Sequence, residues 1–283
     1  MSKKNQNIVI LGAGESGVGA AILAKKEGWN IFISDFGKIT PAHKKTLNEL
    51  NVDWEESTHS MEKILQADLV IKSPGIPESA NVIVKLAEKE IKIISEIEFA
   101  GYYSKAKTIC ITGSNGKTTT SLLTYHILKN AGINVGLAGN IGESFAKQIA
   151  NETYDWYVLE LSSFQLDGMF EFRADIAMLL NITPDHLDRY DYDINKYALS
   201  KFRVLQNQTE NDWAIVNNDD PIIQKELTNR KLSAKVAPFS MKEELTLGGY
   251  INNEQLIINT NENFTMSIHD LALKGKHNAQ NSL

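Results

Sequence analysis

Residues 108–120 read TICITGSNGKTTT. Thr108 to Thr112 is the apolar, β-branched run of a buried strand, and 118–130 carries the composition of a helix. Between them stands a loop, Gly113-Ser114-Asn115-Gly116-Lys117. Strand, glycine loop and helix in that order make a phosphate cradle. Free backbone N–H groups line the loop, and the helix start adds a positive dipole end. Lys117 would balance charge on β- and γ-phosphates, and Thr118 would offer its hydroxyl to Mg²⁺. Ser114, Asn115, Gly116 and Thr119 complete the cradle. The general phosphate-loop pattern places a further glycine where Ile111 stands, and a Gly-Lys-Thr turn without a ligand is the alternative reading.

Such a loop needs a carboxylate on a neighbouring strand. Glu160 ends the apolar run WYVLEL at 156–161, where burying an acid is otherwise costly. A surface glutamate at a strand end is the competing explanation. Further strands are expected at 133–138, 175–181 and 213–217, with a helix at 195–207. Residues 248–268 change character and read as a small antiparallel piece.

Towards the N-terminus a second series begins. Asn7 to Leu11 is a strand, Val18 to Glu27 a helix closed by Gly28, and Ile31 to Asp35 a second strand. Leu69 to Ile71 ends at the turn Ser73-Pro74-Gly75, and Ile91 to Ser95 is a further short strand. Between the first strand and helix, Gly12-Ala13-Gly14-Glu15-Ser16-Gly17 fits G-x-G-x-x-G, the turn that lets a diphosphate approach backbone. Asp35 is placed to accept hydrogen bonds from a ribose or base. The chain is therefore expected to be α/β. A Rossmann-like domain spans 1–95, and a phosphate-loop ATP-binding α/β domain with the antiparallel piece spans 96–283. A linker is expected near Glu96 to Lys107.

The chain has 283 residues, a formal net charge of −6 and 42% hydrophobic residues, which is ordinary globular composition. Mild acidity excludes general nucleic-acid binding, which needs a basic face. No stretch reaches membrane-spanning length, and MSKKNQN lacks the pattern of a secretory leader. Cys110 is the one cysteine and reads as a buried small hydrophobe; a reducing, cytoplasmic location is expected. The glycine fingerprint alone would fit an NAD-dependent dehydrogenase, but that leaves the second loop, Glu160 and His186 unexplained.

Six motifs occur in order: SPGIP (73–77), ITGSNGKTTT (111–120), GNIG (139–142), LELSSFQL (159–166), NITPDHLDRY (181–190) and LKGKHNAQN (273–281). Together they resemble the Mur ligase family over essentially the whole chain. LELSSFQL and the opening GAGESG point to the branch that adds D-glutamate to UDP-N-acetylmuramoyl-L-alanine. The resemblance implies an ATP- and Mg²⁺-dependent amide ligase of cell-wall precursor synthesis, cytoplasmic and monomeric. Another member of the family and a non-catalytic nucleotide-binding module remain alternatives.

By resemblance, Gly14, Glu15, Ser16, Asp35, Ser73, Pro74 and Gly75 form the uridine-diphosphate site. Some members carry Thr-Arg after the aspartate, where Phe36-Gly37 stands here. Asn140 and Ser162 would touch the muramoyl substrate. Thr118 and Glu160 would bind a first Mg²⁺, and His186 with Lys201, as a carbamate, a second. Lys117, Glu160, His186 and Lys201 are thus the catalytic set, and Asn278 and Asn281 the nucleotide contacts. Without the resemblance, His186 reads as a core or surface histidine, Lys201 as a solvated helix lysine, and Asn278 and Asn281 as helix-end polar residues. The family's third domain carries most amino-acid contacts and would follow Leu283. Residues 1–283 alone are expected to bind ligands without ligating them.

Overall fold

The computed structural model describes residues 6–260 and 262–283. Their contacts divide the chain into two compact units. One comprises Met1–Lys105, Ala138–Tyr154 and Phe164–Phe172; the other comprises Ala106–Leu137, Asp155–Ser163 and Arg173–Leu283. The division differs from a single cut at residue 95, because two later segments return to the first unit.

The first unit opens with β1 (Asn7–Leu11), α1 (Glu15–Lys26), β2 (Asn30–Asp35), α2 (Pro41–Glu49) and β3 (Asp53–Glu56). It continues with α3 (Met61–Ile64), β4 (Leu69–Lys72), α4 (Asn81–Glu88), β5 (Ile93–Ile94) and α5 (Glu96–Gly101). The five strands form one sheet in the order β3-β2-β1-β4-β5, and every pairing is parallel. Parallel strands covered on both faces read as continuous apolar runs, which is why Ile8 to Leu11 are all buried. Val9, Leu11 and Val70 pack with Ile64, Val82, Ile83 and Leu86 of α3 and α4. Each such side chain contributes about 1.5–3 kcal/mol by leaving water.

The stretch expected as a linker is a helix. Ser95 caps α5 by accepting the Glu98 N–H at 3.2 Å, and Ile97, Phe99 and Ala100 are fully buried. Glu98 is fully buried too, and its carboxylate accepts the backbone N–H groups of Phe170, Glu171 and Phe172 at 3.0, 2.9 and 2.9 Å. Three charge-assisted bonds from one side chain fasten the second returning segment.

The rest of the chain forms β6 (Lys107–Thr112), α6 (Lys117–Asn130), β7 (Val135–Gly139), α7 (Phe145–Asn151), β8 (Trp156–Glu160), α8 (Ser163–Asp167) and β9 (Ile176–Leu179). Then follow α9 (Ile194–Phe202), β10 (Trp213–Asn217), α10 (Pro221–Thr228), β11 (Lys235–Ser240), β12 (Gly248–Asn252), β13 (Gln255–Asn259), β14 (Asn263–Ser267) and α11 (Lys276–Asn281). Among the described residues the strands order as β14-β13-β12-β11-β10-β9-β6-β8-β7. Strand β13 runs antiparallel to both of its neighbours, β12 and β14, giving the small antiparallel piece of the expected fold. The helix expected over 195–207 is α-helical only to Phe202 and tightens to a 3₁₀ turn over Arg203–Leu205. Cys110 is fully buried in β6, and burial pushes its thiol up to about 12. No helix among the described residues is long and apolar enough to cross a membrane.

Candidate functional site

In an open parallel sheet, ligands bind beyond the carboxyl ends of the strands where the order reverses. In the first unit that point lies between β1 and β4. A cavity of about 760 Å³ opens there, walled by the loops after both strands and by Asp35, Phe36 and His59. Gly12 has φ +92°, and a Cβ there would stand 2.5 Å from Ser73 Oγ. A Cβ on Gly17 would stand 2.0 Å from the Gly12 carbonyl oxygen, so this glycine lets α1 start directly against the turn. Gly14 is the N-cap of α1, and Glu15 and Ser16 form its first turn. Ser73 and Gly75 line the cavity; Pro74 between them does not.

Asp35 does more than face the ligand space. Its two oxygens accept the Ala13 and Gly37 N–H groups, each at 2.7 Å, so it ties the glycine turn to the end of β2. Phe36 is 74% exposed, and its ring centroid lies 5.6 Å from that of His59. His59 Nδ1 is 2.6 Å from Ser34 Oγ, which also donates to Glu55 at 2.7 Å. Burial holds His59 below the usual histidine range, against the opposing charges of Glu55 and Asp35. A diphosphate at the helix start and a planar ring against the aromatic wall are what this arrangement can hold.

In the second unit the order reverses at β6, and the loop Gly113–Lys117 sits there. Gly116 has φ +84°, and the chain then enters α6. Lys117 Nζ donates to the loop's own carbonyls, Gly113 at 2.9 Å and Ser114 at 3.0 Å. Thr118 is exposed in the first turn of α6, with Thr119 beside it. The segment after β9 is bonded to the loop. Asn115 N–H donates to Asn181 Oδ1 at 2.8 Å, and Asn181 Nδ2 returns to the Asn115 carbonyl at 2.9 Å. Ser114 Oγ accepts the Thr183 N–H at 2.9 Å and lies 3.2 Å from the Tyr197 hydroxyl. Burial raises the Tyr197 phenol.

Lys201 is 2% exposed, not solvated, and its Nζ donates to the Gly113 carbonyl at 2.8 Å. It lies 4.6 Å from the Tyr197 ring centroid. Glu160 is 1% exposed and stands opposite Ile111 in the β6–β8 register, one strand from the loop. Ser162 follows two residues later, half-buried. A Cβ on Gly116 would come 2.6 Å from Asn281 Oδ1, which places that amide against the loop. Asn278 instead donates to the Lys274 carbonyl at 2.9 Å, across its own helix start. His186 has left-handed backbone (φ 48°), and its exposed ring lies 3.6 Å from Asp185. Asn140 is exposed on the loop between β7 and α7, in the first unit.

The loop, Lys201, Asn181, Thr183, Tyr197 and Asn281 are thus brought together. Asn181, Thr183 and Tyr197 were not singled out from the sequence. Asn181 ends an apolar strand, the same signal that marked Glu160, whereas nothing local marks Tyr197 or His59. Among the described residues no three His, Cys, Asp or Glu side chains form a metal cage. A cation held between one carboxylate, a hydroxyl and ligand phosphates needs none.

The model of the Mur ligase middle domain matches residues 111–283, and that of the MurD N-terminal domain matches residues 7–82. A protein of Christiangramia forsetii named UDP-N-acetylmuramoylalanine--D-glutamate ligase is 52% identical over 100% of this chain and 63% of its own length. One of the same name from Bacteroides fragilis is 56% identical over 98% of this chain and 63% of its own. The chain therefore spans about 63% of the length of these curated relatives. Among solved structures, a murein peptide ligase from Psychrobacter arcticus superposes with TM-score 0.63 at 19% identity, covering 99% of this chain and 64% of that one. A ligase for UDP-N-acetylmuramate and L-alanyl-γ-D-glutamyl-meso-diaminopimelate from Neisseria meningitides gives 0.65 at 20%, covering 98% and 91%. At those identities the likeness is one of fold.

Proposed function

The chain belongs to the Mur ligase family, and we propose that the whole protein uses ATP to join D-glutamate to UDP-N-acetylmuramoyl-L-alanine in the cytoplasm, as a monomer. The observation that carries the reading is the phosphate loop bonded by Asn181 and Thr183, with Lys117 and Lys201 converging on the Gly113 carbonyl. The name shared by the relatives supports the choice of substrates.

Residues 1–95 would take the UDP moiety, through Gly14, Glu15, Ser16, Asp35 and the Ser73-Pro74-Gly75 turn. Residues 96–283 would take ATP. The L-alanyl carboxylate attacks the γ-phosphorus and ADP leaves; the D-glutamate amine then attacks the acyl carbon and phosphate leaves. Both steps bring anions together, so charge compensation and positioning carry the catalysis. Lys117 would exchange the carbonyls of Gly113 and Ser114 for the β- and γ-phosphates. Gly116 and Thr119 would present backbone N–H groups, Ser114 and Asn115 would do so on releasing their N–H bonds to Asn181, and Asn278 and Asn281 would contact the nucleotide. Asn140 and Ser162 would hold the muramoyl part.

The donor set fits Mg²⁺. Thr118 offers a hydroxyl and Glu160 a carboxylate, both hard oxygens, and Glu160 stands beside the strand that feeds the loop. His186 and Lys201, the latter as a carbamate formed when its neutral amine adds to CO₂ and loses a proton, would serve a second ion. When bound, the ions compensate charge between phosphates and acceptor carboxylate.

The test uses the full-length protein with ATP and UDP-N-acetylmuramoyl-L-alanine. Phosphate release should depend on D-glutamate and fall by about 10²-fold or more in Lys117→Ala. Equal turnover with L-alanine or L-lysine would refute the assignment.

A further inference from the structure

Glu96 is the first residue of α5 and is buried, yet nothing in the chemistry above uses it. Its Oε1 accepts the Ser144 hydroxyl at 2.6 Å and the Ala146 N–H at 2.5 Å. Its other oxygen is buried without a hydrogen-bond partner among the described residues. Ser144 is the N-cap of α7 and itself accepts the Lys147 N–H at 3.2 Å. One carboxylate thus holds the cap and an orphan N–H of the same helix start, 48 and 50 positions along the chain.

That helix start is the landing point of the turn Gly139-Asn140-Ile141-Gly142. Both glycines have positive φ, +104° and +73°, so the turn is shaped by backbone that other residues adopt poorly. A bridge between Ala138 and Glu143 closes its base. Its far end is therefore fixed where Ser144 is fixed. The helix α1 leaves no slack there: a Cβ on Gly19 would stand 1.9 Å from Ser144 Oγ. The Ser144 hydroxyl is confined between Gly19 and Glu96, and the exposed Asn140 lies four positions before it.

We propose that Glu96 is a positioning residue for the substrate, acting through Ser144 to set the turn that presents Asn140. This rests on the reading that Asn140 meets the muramoyl part of UDP-N-acetylmuramoyl-L-alanine. Glu96 touches no substrate itself. What it must supply is an acceptor oxygen at Oε1, and a glutamine supplies one as well; an apolar side chain of similar length does not.

The test is a double-mutant cycle on the full-length protein, read by calorimetric titration with two probes. UDP alone reports the first unit's cavity, and UDP-N-acetylmuramoyl-L-alanine adds the muramoyl contact. Glu96→Met should weaken the full substrate about tenfold, the size of a lost hydrogen bond, and leave UDP affinity unchanged. Glu96→Gln should bind both probes as the wild type does. Asn140→Ala should weaken the full substrate by a similar factor, and the double variant should be no weaker than Asn140→Ala alone. Independent, multiplying losses overturn the proposal, as does an equal loss of UDP affinity in Glu96→Met. If Glu96→Met does not fold, Ser144→Ala takes its place in the cycle under the same criteria. Should Asn140→Ala bind the full substrate normally, the Asn140 reading itself falls and the proposal with it. That outcome is distinct from a cycle in which Asn140 matters and Glu96 does not.

Discussion

The Lys201 Nζ donates to the carbonyl oxygen of Gly113 at 2.8 Å, reaching across 88 positions of chain from α9 to the phosphate loop. Lys117 donates to the same oxygen at 2.9 Å. Two lysine Nζ groups share one acceptor, so the phosphates of a ligand can draw one of them away. Lys117 is half-buried and flanks the exposed side of the loop, whereas Lys201 is sealed in.

Lys201 should therefore be the modified lysine. Protein equilibrated with ¹³C-bicarbonate and Mg²⁺ should give a carbamate carbonyl signal in its NMR spectrum, absent from Lys201→Ala. The variant should lose ligation by about 10²-fold or more, with UDP affinity intact. An identical spectrum for both proteins would rule the modification out.

Gly116→Ala should damage ATP-analogue binding. Its backbone sits at φ +84°, which costs an L-residue about 1–2 kcal/mol, and the new methyl would meet Asn281 Oδ1 at 2.6 Å. Adding Asn281→Ala removes the collision but not the backbone strain, so thermal stability should recover only in part. Full recovery would show that the left-handed turn carries no cost.

Glu96 makes stability depend on pH. Burial raises it to about 7, outweighing the bonds from Ala146 and Ser144, with the Glu15 charge adding to the rise. A carboxyl that binds its proton more tightly in the folded chain stabilises fully below its ordinary value near 4.5. That contribution is lost as pH climbs through about 7. From pH 4.5 to 7.5 the wild type should lose about 2–4 kcal/mol of unfolding free energy that Glu96→Gln does not lose. Parallel denaturation curves for the two proteins across this range would contradict it.

Cys110 should be inert in the folded chain, with its thiol at about 12 and its side chain fully buried. A thiol reagent at pH 8 should label it only after denaturant is added. Rapid labelling of native protein would place the residue elsewhere.

Much of this was legible in the chain itself. β1, β6 and β10 read as strands because both faces of a parallel sheet are covered, so the signal is a plain apolar run. The two loops were legible because a turn needing positive φ at Gly12 or Gly116 is specified by the residues within it. β3, with the sequence DWEE, gave no such signal; it exists because β2 offers it an edge. β11 was hidden by Pro238, which lacks an N–H for a ladder; the strand tolerates it because β12 pairs only with Phe239 and Ser240 beyond it.

What the sequence determined by itself was therefore local: phosphate loops at strand ends, an acid at the close of β8, and a fold of parallel α/β units. What only the tertiary structure decided was which distant groups those loops meet. Lys201 is a surface lysine or a buried one depending on where α9 docks, and Glu96 is a linker acid or a helix fastener depending on where α7 lands. Periodicity and turn chemistry act over a few residues. A hydrogen bond across 50 or 88 positions is fixed by sheet order and helix packing, which no short stretch encodes.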